Sequence, residues 1–360
     1  MLTRNKLRTG IIFSLALALI VMTAIALYGD LPHLITAIAH FRWAFLPVIL
    51  GLTLFNYFGR FLKWQYYLKR LTITIHWRKS LLIFISGLSM AITPGKVGEL
   101  LKSYLLKRST GEPISRTSPI IMAERLTDGI AMIALSSTGL ALYRYGWELL
   151  VGLLVCVVGG LLVIQNRRLS LALLAFGERV PGISRAAFWL RSFYESSFTL
   201  LQWRPLLLAI SIGIVSWAGE CVALYFVFAG LGLGFGLELF VKSMFIMGVS
   251  SLIGSASGLP GGLGTADGSM IGLTRLLLTP SATIGGAATL LIRLCTLWFG
   301  LALGVLALLI YRATQRAPIF IQQSDEQAPL TDKVRNAHIP ASQPDLEPAA
   351  ATSNSGDTLK

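Results

Sequence analysis

The chain alternates long apolar stretches with short polar and basic segments, a pattern typical of a helical membrane protein. Six stretches approach the ~20 residues that an α-helix needs to cross hydrocarbon. They are Ile11 to Tyr28, Trp43 to Leu62, Ser118 to Leu142, Leu149 to Ile164, Leu206 to Ala229 and Gly285 to Tyr311. The pattern predicts an all-α polytopic membrane protein with about six transmembrane helices.

The first stretch has two interpretations. Its 18 residues follow Arg4, Lys6 and Arg8, as in a secretory signal peptide, and Ala24-Ile-Ala26 resembles a small-residue cleavage site. The apolar run is nevertheless long for a signal core, so a retained helix is favoured.

Two further apolar stretches are interrupted. Leu81 to Leu106 breaks at Pro94, Gly95 and Gly98, and Leu239 to Thr279 breaks within "SGLPGGLGTADG", Ser257 to Gly268, at Pro260, Gly261 and Gly264. Irregular backbone at membrane depth is tolerated only where protein or a water-filled cavity satisfies its peptide groups. Both stretches are therefore predicted to be re-entrant helical hairpins that enter from opposite faces and line a cavity.

The loop charges predict the orientation. Lys63 to Arg116 contains ten Lys or Arg residues, and Arg167 to Arg204 contains six Arg, whereas the opposite loops offer only Arg42 and Arg144. By the positive-inside rule, both basic loops and both termini are expected in the cytoplasm, with the protein in the cell (inner) membrane.

Composition supports this class. Of the 360 residues 54% are hydrophobic and 13% charged, and the net charge is +14. Basic residues in short loops between apolar spans favour anionic lipid surfaces or anionic substrates over nucleic acid. Residues 1–315 are expected to form the membrane domain. Residues 316–360, rich in Pro, Ala, Ser and Asp, are expected to form a disordered cytosolic tail.

The two breaks share a spacing. Each has the pattern P-G-x-x-G, and each is followed by an acid that precedes an arginine by 26 residues: Glu99 and Arg125 in the first half, Asp267 and Arg293 in the second. Matching interrupted segments of opposite orientation are typical of inverted-repeat transporters, with the binding site where the halves meet. The alternative is that P-G-x-x-G is a common turn and the matched spacing a coincidence.

Charged side chains cluster near these breaks. Glu124 and Asp128 share a helix face from which Arg125 is offset, and an unpaired charge at the bilayer centre costs at least ~2.5–3.5 kcal/mol. The charges either form structural ion pairs, such as Arg293 with Asp267, or bind an anionic headgroup with help from the N-termini of half-helices near Gly95 and Gly264. The candidate substrate-binding residues are Lys96, Glu99, Glu124, Arg125, Asp128, Asp267 and Arg293. Lys96, Glu99, Asp267 and Arg293 are expected to form one site where the hairpin tips meet.

The ordered motifs carry a resemblance. "PGKVGELLK", "AERLTDG" and "LPGGLGTADG", with Arg60 and Trp64 upstream in "GRFLKWQYYL", look like the membrane region of the lysylphosphatidylglycerol synthase family over roughly residues 10–312. The resemblance implies lipid translocation between leaflets. With no transferase domain expected after Tyr311, it does not imply the synthase activity. Asp267 stands where the second motif more often has Glu, which leaves the role of that acid open.

Other chemistries lack their motifs. The four histidines are scattered without a HExxH or Cys/His grouping, and Gly95-Lys96 lacks the Ser or Thr of a P-loop. No metal site, cofactor, ATP site or enzyme activity is therefore expected. Three functions remain: a flippase or scramblase for an anionic or polyprenyl-phosphate-linked lipid, a secondary transporter of a small anionic solute, and a non-transporting membrane partner of a lipid-modifying enzyme. Membrane lipids, such an enzyme and a second copy of the chain are the candidate partners.

Overall fold

A computed structural model describes residues 31–93, 98–140, parts of 151–167, and 187–316. The predicted first span, Ile11 to Tyr28, lies outside the described residues, as do Pro94, Gly95 and Lys96 and the tail after Arg316. The predicted span Leu149 to Ile164 is described only in part. The protein is an all-α polytopic membrane protein.

Eleven α-helices are present in the described part of the chain. They are α1 Leu31–Ala39, α2 Leu46–Arg70, α3 Trp77–Leu88, α4 Leu100–Thr110, α5 Ile114–Leu140, α6 Ala187–Leu200, α7 Trp203–Phe228, α8 Leu237–Ala256, α9 Thr265–Leu277, α10 Ala282–Arg293 and α11 Phe299–Arg316. A 3-10 turn, Trp43–Phe45, precedes α2, and π-helical turns Ala229–Leu233 and Leu294–Trp298 extend α7 and join α10 to α11.

Four continuous helical stretches in the described residues are long and apolar enough to cross a membrane: Trp43–Arg70, Trp203–Leu233, Leu237–Ala256 and Ala282–Thr314. Large apolar side chains point outward along them, including Phe58, Val215 and Leu309. Three of the stretches contain predicted spans. The span predicted over Ser118 to Leu142 corresponds to α5, whose 27 residues reach about 40 Å at 1.5 Å per residue but carry several charges.

The two interrupted stretches differ in length. Helices α3 and α4 have 12 and 11 residues, so each extends under about 20 Å, less than the ~30 Å hydrocarbon core. Helix α8 has 20 residues, enough to cross, and is followed by the 13-residue α9. Re-entry therefore remains a prediction for both stretches, and the second combines a full-length helix with a short one.

The second break is shorter than the sequence predicts. Helix α9 already begins at Thr265, so Thr265 to Gly268 belong to the helix and not to the break. Asp267 explains the early start, because its Oδ2 accepts a hydrogen bond at 2.9 Å from the backbone N–H of Gly264, the residue that precedes the helix.

Glycine is required within this break. Gly262 has φ +67°, and a Cβ built there would lie 3.0 Å from the Cα of Gly254 in α8. A side chain would therefore combine left-handed strain with a backbone clash. This glycine lets the break fold tightly against the helix that precedes it.

Helix α7 occupies the centre of the bundle and packs against α2, α5, α8 and α10. Its contact with α2 is close, because a Cβ at Gly59 would lie 2.6 Å from the Cβ of Ser216. Asn56 of α2 reinforces this contact by donating a hydrogen bond of 3.0 Å to the carbonyl of Ser216. The first and second halves of the bundle, α2–α5 and α7–α11, are thus joined along α2 and α7.

The regions that flank the two breaks are in contact. Buried Ile92 and Leu263 pack together with Leu297 of the π-helical turn. A Cβ at Gly261 would lie 3.8 Å from the carbonyl oxygen of Ala91. The segment that leads into the first break therefore contacts the second break, while residues 94–97 lie outside the described residues and the meeting of two hairpin tips stays a prediction.

Candidate functional site

A cavity of about 170 Å³ lies between the two halves, beside the contact of the breaks. Its charged lining residues, among those described, are Arg60, Glu99, Lys102 and Arg125 from the first half and Glu220 and Arg293 from the second. Four cations and two carboxylates face one small space. Charges are expensive within a membrane protein, so their convergence at a cavity makes it the candidate functional site.

The second-half ion pair is tightly built. Arg293 donates from Nε to Asp267 Oδ1 at 2.5 Å and from Nη1 to the carbonyl of Gly261 at 3.1 Å. Asp267 is 2% exposed and also holds the N–H of Gly264. One arginine therefore fixes both the irregular backbone of the break and the helix that follows it.

The first-half ion pair has a different geometry. Arg125 Nη2 lies 3.0 Å from Glu99 Oε2, yet Arg125 Nε and Nη2 have no hydrogen-bond partner among the described residues. The Arg125 side chain is 26% exposed. The 26-residue spacing correctly predicts both ion pairs, but only the second is locked by aligned hydrogen bonds.

A third ion pair was not predicted from the sequence. Lys102 of α4 is 3% exposed and donates to Glu124 Oε2. Its ammonium also lies 5.0 Å from the ring centroid of Trp64 and 5.3 Å from that of Phe84, which are cation–π contacts. Lys102 looks like a loop charge in "LLKSYLLKR", and the structure shows it to be a buried cation at the cavity wall.

Asp128 organises two further cations of α2. Lys63 Nζ lies 2.5 Å from Asp128 Oδ1, and Arg60 Nε lies 4.0 Å from Oδ2. Lys63 is 1% exposed, although the sequence prediction ends its span at Leu62 and assigns Lys63 to the cytosolic loop. The loop assignment is wrong, because α2 continues to Arg70 and the ion pair with Asp128 of α5 stabilises Lys63 inside the bundle, whereas the cytosolic side stays a prediction.

Glu220 is the remaining charged group of the wall. It lies in the middle of α7 and is 6% exposed. Its carboxylate forms neither a hydrogen bond nor an ion pair with the described residues, although the charges of Arg60, Asp128 and Arg293 act on it. A single acid inside an otherwise apolar span was the sequence signal that could have identified it.

Polar groups without hydrogen-bond partners among the described residues also face the cavity. Trp217 Nε1 and Ser250 Oγ line it and have no hydrogen-bond partner in the described part of the chain, and the same holds for the Arg125 donors. Buried donors are normally satisfied. The wall therefore offers hydrogen bonds to an accepting group inside the cavity.

The backbone around Arg293 is irregular as well. The π-helical turn Leu294–Trp298 follows it directly, and Tyr57 of α2 donates a hydrogen bond of 2.7 Å to the carbonyl of Thr296. Such π-turns occur preferentially at functional sites. Tyr57 and Thr296 both line the cavity, so this contact joins the two halves at its wall.

The predicted site residues separate into two layers. Glu99, Arg125 and Arg293 line the cavity, as does the break residue Gly261. Behind it lie the acids that pair with its cations, Glu124, Asp128 and Asp267.

The other predicted break residues have structural roles or lie outside the description. Pro260 is buried, Gly264 precedes α9, and Gly98 donates its N–H to Thr93 Oγ1 at 2.8 Å. Lys96, Pro94 and Gly95 lie outside the described residues. The half-helix expected to start near Gly95 begins, as α4, at Leu100.

Comparison with known proteins finds membrane proteins among the relatives of this chain. A UPF0104 membrane protein of Methanocaldococcus jannaschii is 27% identical over 204 residues, covering 52% of this chain and 78% of the relative. A UPF0104 membrane protein of Methanothermobacter thermautotrophicus is 25% identical over 277 residues, covering 69% of this chain and 79% of the relative. The family model of the lysylphosphatidylglycerol synthase TM region matches residues 11–304, so the chain belongs to that family of membrane regions.

Proposed function

We propose that the protein translocates an anionic lipid, a phospholipid or a polyprenyl-phosphate-linked lipid, by passing its headgroup through the cavity between the two halves. The observation that carries this proposal is the charge of the wall. Four of its six described charged groups are cations, while Glu124, Asp128 and Asp267, which pair with cations of the cluster, lie behind it. An anion entering the cavity meets four cations and two carboxylates, Glu99 and Glu220, so cations predominate at the wall.

The arrangement supplies what a phosphate needs inside a membrane. An isolated anion cannot leave water for hydrocarbon without fixed cations and dipoles that replace its hydration. Here the cations come from both halves, and Arg125, Trp217 and Ser250 add donors that have no hydrogen-bond partner among the described residues. The same groups would bind the anion whether the protein is open to one side of the membrane or to the other.

The size of the cavity favours binding of a lipid headgroup over binding of a whole lipid molecule. About 170 Å³ is below the ~300 Å³ at which ordinary small-molecule pockets begin. A phosphate-sized group fits, whereas acyl chains do not. The chains would stay in the bilayer while the headgroup passes between the halves.

The proposed orientation has both termini in the cytoplasm of the inner membrane. Removing the buried Lys63 and Lys102 from the first basic loop leaves eight of its ten basic residues. The charge bias keeps its sign, so the positive-inside argument still applies.

Arg60 provides the sharpest test. Its nearest acid oxygen, Asp128 Oδ2, is 4.0 Å away, and the other oxygen of that carboxylate, Oδ1, already pairs with Lys63, so removing Arg60 leaves Asp128 paired. Purified protein in liposomes should move a short-chain NBD-labelled phosphatidylglycerol between leaflets, followed by extraction with albumin. Arg60→Gln should slow this at least about tenfold, the equivalent of ~1.4 kcal/mol, and Arg60→Lys should slow it less.

The matched control is Arg167→Gln, which removes an arginine that is 58% exposed and pairs with Glu195 away from the cavity. It should translocate lipid like the wild type. No lipid movement by folded wild-type protein would refute the proposal. Uptake of glycerol phosphate in its place would favour a solute transporter, and activity in neither assay would favour a non-transporting enzyme partner.

A further inference from the structure

The acid Glu220 differs from every other buried acid of the cavity region. Glu99, Glu124, Asp128 and Asp267 each have a cation within 3.0 Å. Glu220 is 94% buried, lines the cavity and has no ion pair among the described residues. A buried carboxylate without a direct cation is costly when ionised.

The groups around Glu220 come from several helices. Helix α2 contributes Tyr57 and Arg60, α5 contributes Asp128, and α10 contributes Arg293. The α8 residues at this cavity are uncharged and include Met247, Ser250 and Ser251. Glu220 therefore faces cations at a distance, and none of them is bonded to it.

The described charge cluster balances only when Glu220 is ionised. Its cations are Arg60, Lys63, Lys102, Arg125 and Arg293, and its acids are Glu99, Glu124, Asp128, Glu220 and Asp267. The sum is zero with Glu220 ionised and +1 with Glu220 protonated. Any further fixed charge shifts both sums equally, so the difference of one charge depends on Glu220 alone.

This difference matches the charge of one anionic headgroup. Counting the described charges, an empty cavity with ionised Glu220 is neutral, and a cavity that contains a monoanion and protonated Glu220 is neutral too. A net charge in a low-dielectric site carries a large solvation penalty. Taking up a proton together with the anion avoids that penalty in both states.

We propose that Glu220 is a proton-binding site that couples headgroup movement to proton movement in a one-to-one ratio. The inference rests on the proposed lipid translocation and adds its energy coupling. The Glu220 carboxylate takes a proton from water on the side where the headgroup enters, forming the O–H bond of a carboxylic acid. The acid gives that proton back to water on the side where the headgroup leaves, so no other reactant is consumed.

The test uses full-length protein in liposomes with trace NBD-labelled phosphatidylglycerol. One-to-one coupling makes the transported unit electrically neutral. At equilibrium, a gradient of one pH unit should therefore change the leaflet ratio of the probe about tenfold, because one proton accompanies each headgroup. A potassium-diffusion potential of 100 mV should leave the wild-type ratio unchanged. Protein-free liposomes measure spontaneous redistribution.

In Glu220→Gln, we expect the leaflet ratio to respond to the electrical potential and no longer to the pH gradient. The variant cannot release a proton, so each headgroup would carry its negative charge alone. Its leaflet ratio should ignore the pH gradient and should respond to 100 mV by up to about 50-fold, the equivalent of ~2.3 kcal/mol per charge. Glu195→Gln, which removes a surface carboxylate of the Arg167 pair, should behave like the wild type.

The wild-type measurements decide the matter even if Glu220→Gln does not fold. Movement that follows the electrical potential and ignores the pH gradient would overturn the coupling and leave lipid translocation intact. A Glu220→Gln variant that keeps the wild-type pH response would overturn the assignment to Glu220. No movement under any gradient would overturn both the coupling and the proposed function.

Discussion

Replacing Arg293 with glutamine should expose how much the second break depends on one ion pair. The variant loses the 2.5 Å bond from Nε to Asp267 and the 3.1 Å bond from Nη1 to the carbonyl of Gly261. It leaves Asp267, 2% exposed, with the N–H of Gly264 as its remaining described hydrogen-bond donor. Breaking a buried pair from one side costs about 3–5 kcal/mol. We expect about 3 kcal/mol, because one donor to the carboxylate remains.

Lysine at the same position tests charge against geometry. Arg293→Lys retains a cation for Asp267, but a single ammonium does not reproduce the two separate directions in which the guanidinium donates. The contact with Gly261 should be lost, at a cost of about 1.5 kcal/mol. Translocation in liposomes should follow the same order, with glutamine slower than lysine and lysine slower than the wild type.

A double-mutant cycle separates this pair from its surroundings. In Asp267→Asn combined with Arg293→Gln, no unpaired charge is left, and the asparagine oxygen can still accept from Gly264. The double variant should therefore cost at least about 1 kcal/mol less than the sum of the single variants. Stepwise SDS titration in mixed micelles, followed by tryptophan fluorescence, measures each unfolding free energy. Additive effects, with Arg293→Gln costing under about 1 kcal/mol, would show that water screens the pair.

Two further predictions concern topology and the break. Single cysteines at Lys107 and Leu237, both exposed positions in helices, in a background without the native thiols, should label from the cytoplasmic and external side respectively. Labelling of both from the same side would contradict the opposite orientation of the two interrupted stretches. Gly262→Ala should destabilise the protein by about 2 kcal/mol or more, since φ is +67° and its Cβ would lie 3.0 Å from backbone. Gly272→Ala, in open space within α9, should be neutral or stabilising by up to about 1 kcal/mol in the same titration.

The sequence predicted the second break and its ion pair correctly, because proline and glycine interrupt a helix there and a buried arginine requires an acid nearby. Pro260, Gly261 and Gly264 mark a break because their conformations end a helix, and the structure has the irregular turn there. The 26-residue spacing identified the partner of Arg293 because an arginine deep in a span needs an acid nearby. The break follows from the local sequence, and the ion pair follows from the high cost of an unpaired buried charge. Both can therefore be predicted without a structure.

Sequence reasoning failed for cations at the ends of apolar runs. Lys63 and Lys102 look like charges that reach back to the interface, because that is the usual behaviour of lysine at such positions. Their burial depends on Asp128 and Glu124, which lie on another helix, α5. The distance between these lysines and the acids of α5 is set by helix packing, which no local sequence pattern specifies.

Glu220 was missed for the opposite reason. Its signal, one acid within the apolar span of α7, is present in the sequence, but no basic residue at a matching spacing drew attention to it. The structure shows that it has no bonded cation among the described residues, so a search for partners could not find it. The absence of a bonded cation there is the feature on which the proposed proton coupling rests.

The cations of the cavity differ in how firmly they are held, and this difference fits the proposed transport. Arg293 is bound to both Asp267 and Gly261, whereas Arg60 lies 4.0 Å from its nearest acid and Arg125 has unaligned donors. A transport site must bind its substrate well enough to admit it and weakly enough to release it. In the proposed transport, Arg60 and Arg125 would turn toward a headgroup while the backbone of the break stays bound, and the carboxylate of Glu99 would compete for Arg125 when the headgroup leaves. Arg293 would hold the break in place throughout, so that the wall would keep its shape while its loosely held charges exchange partners.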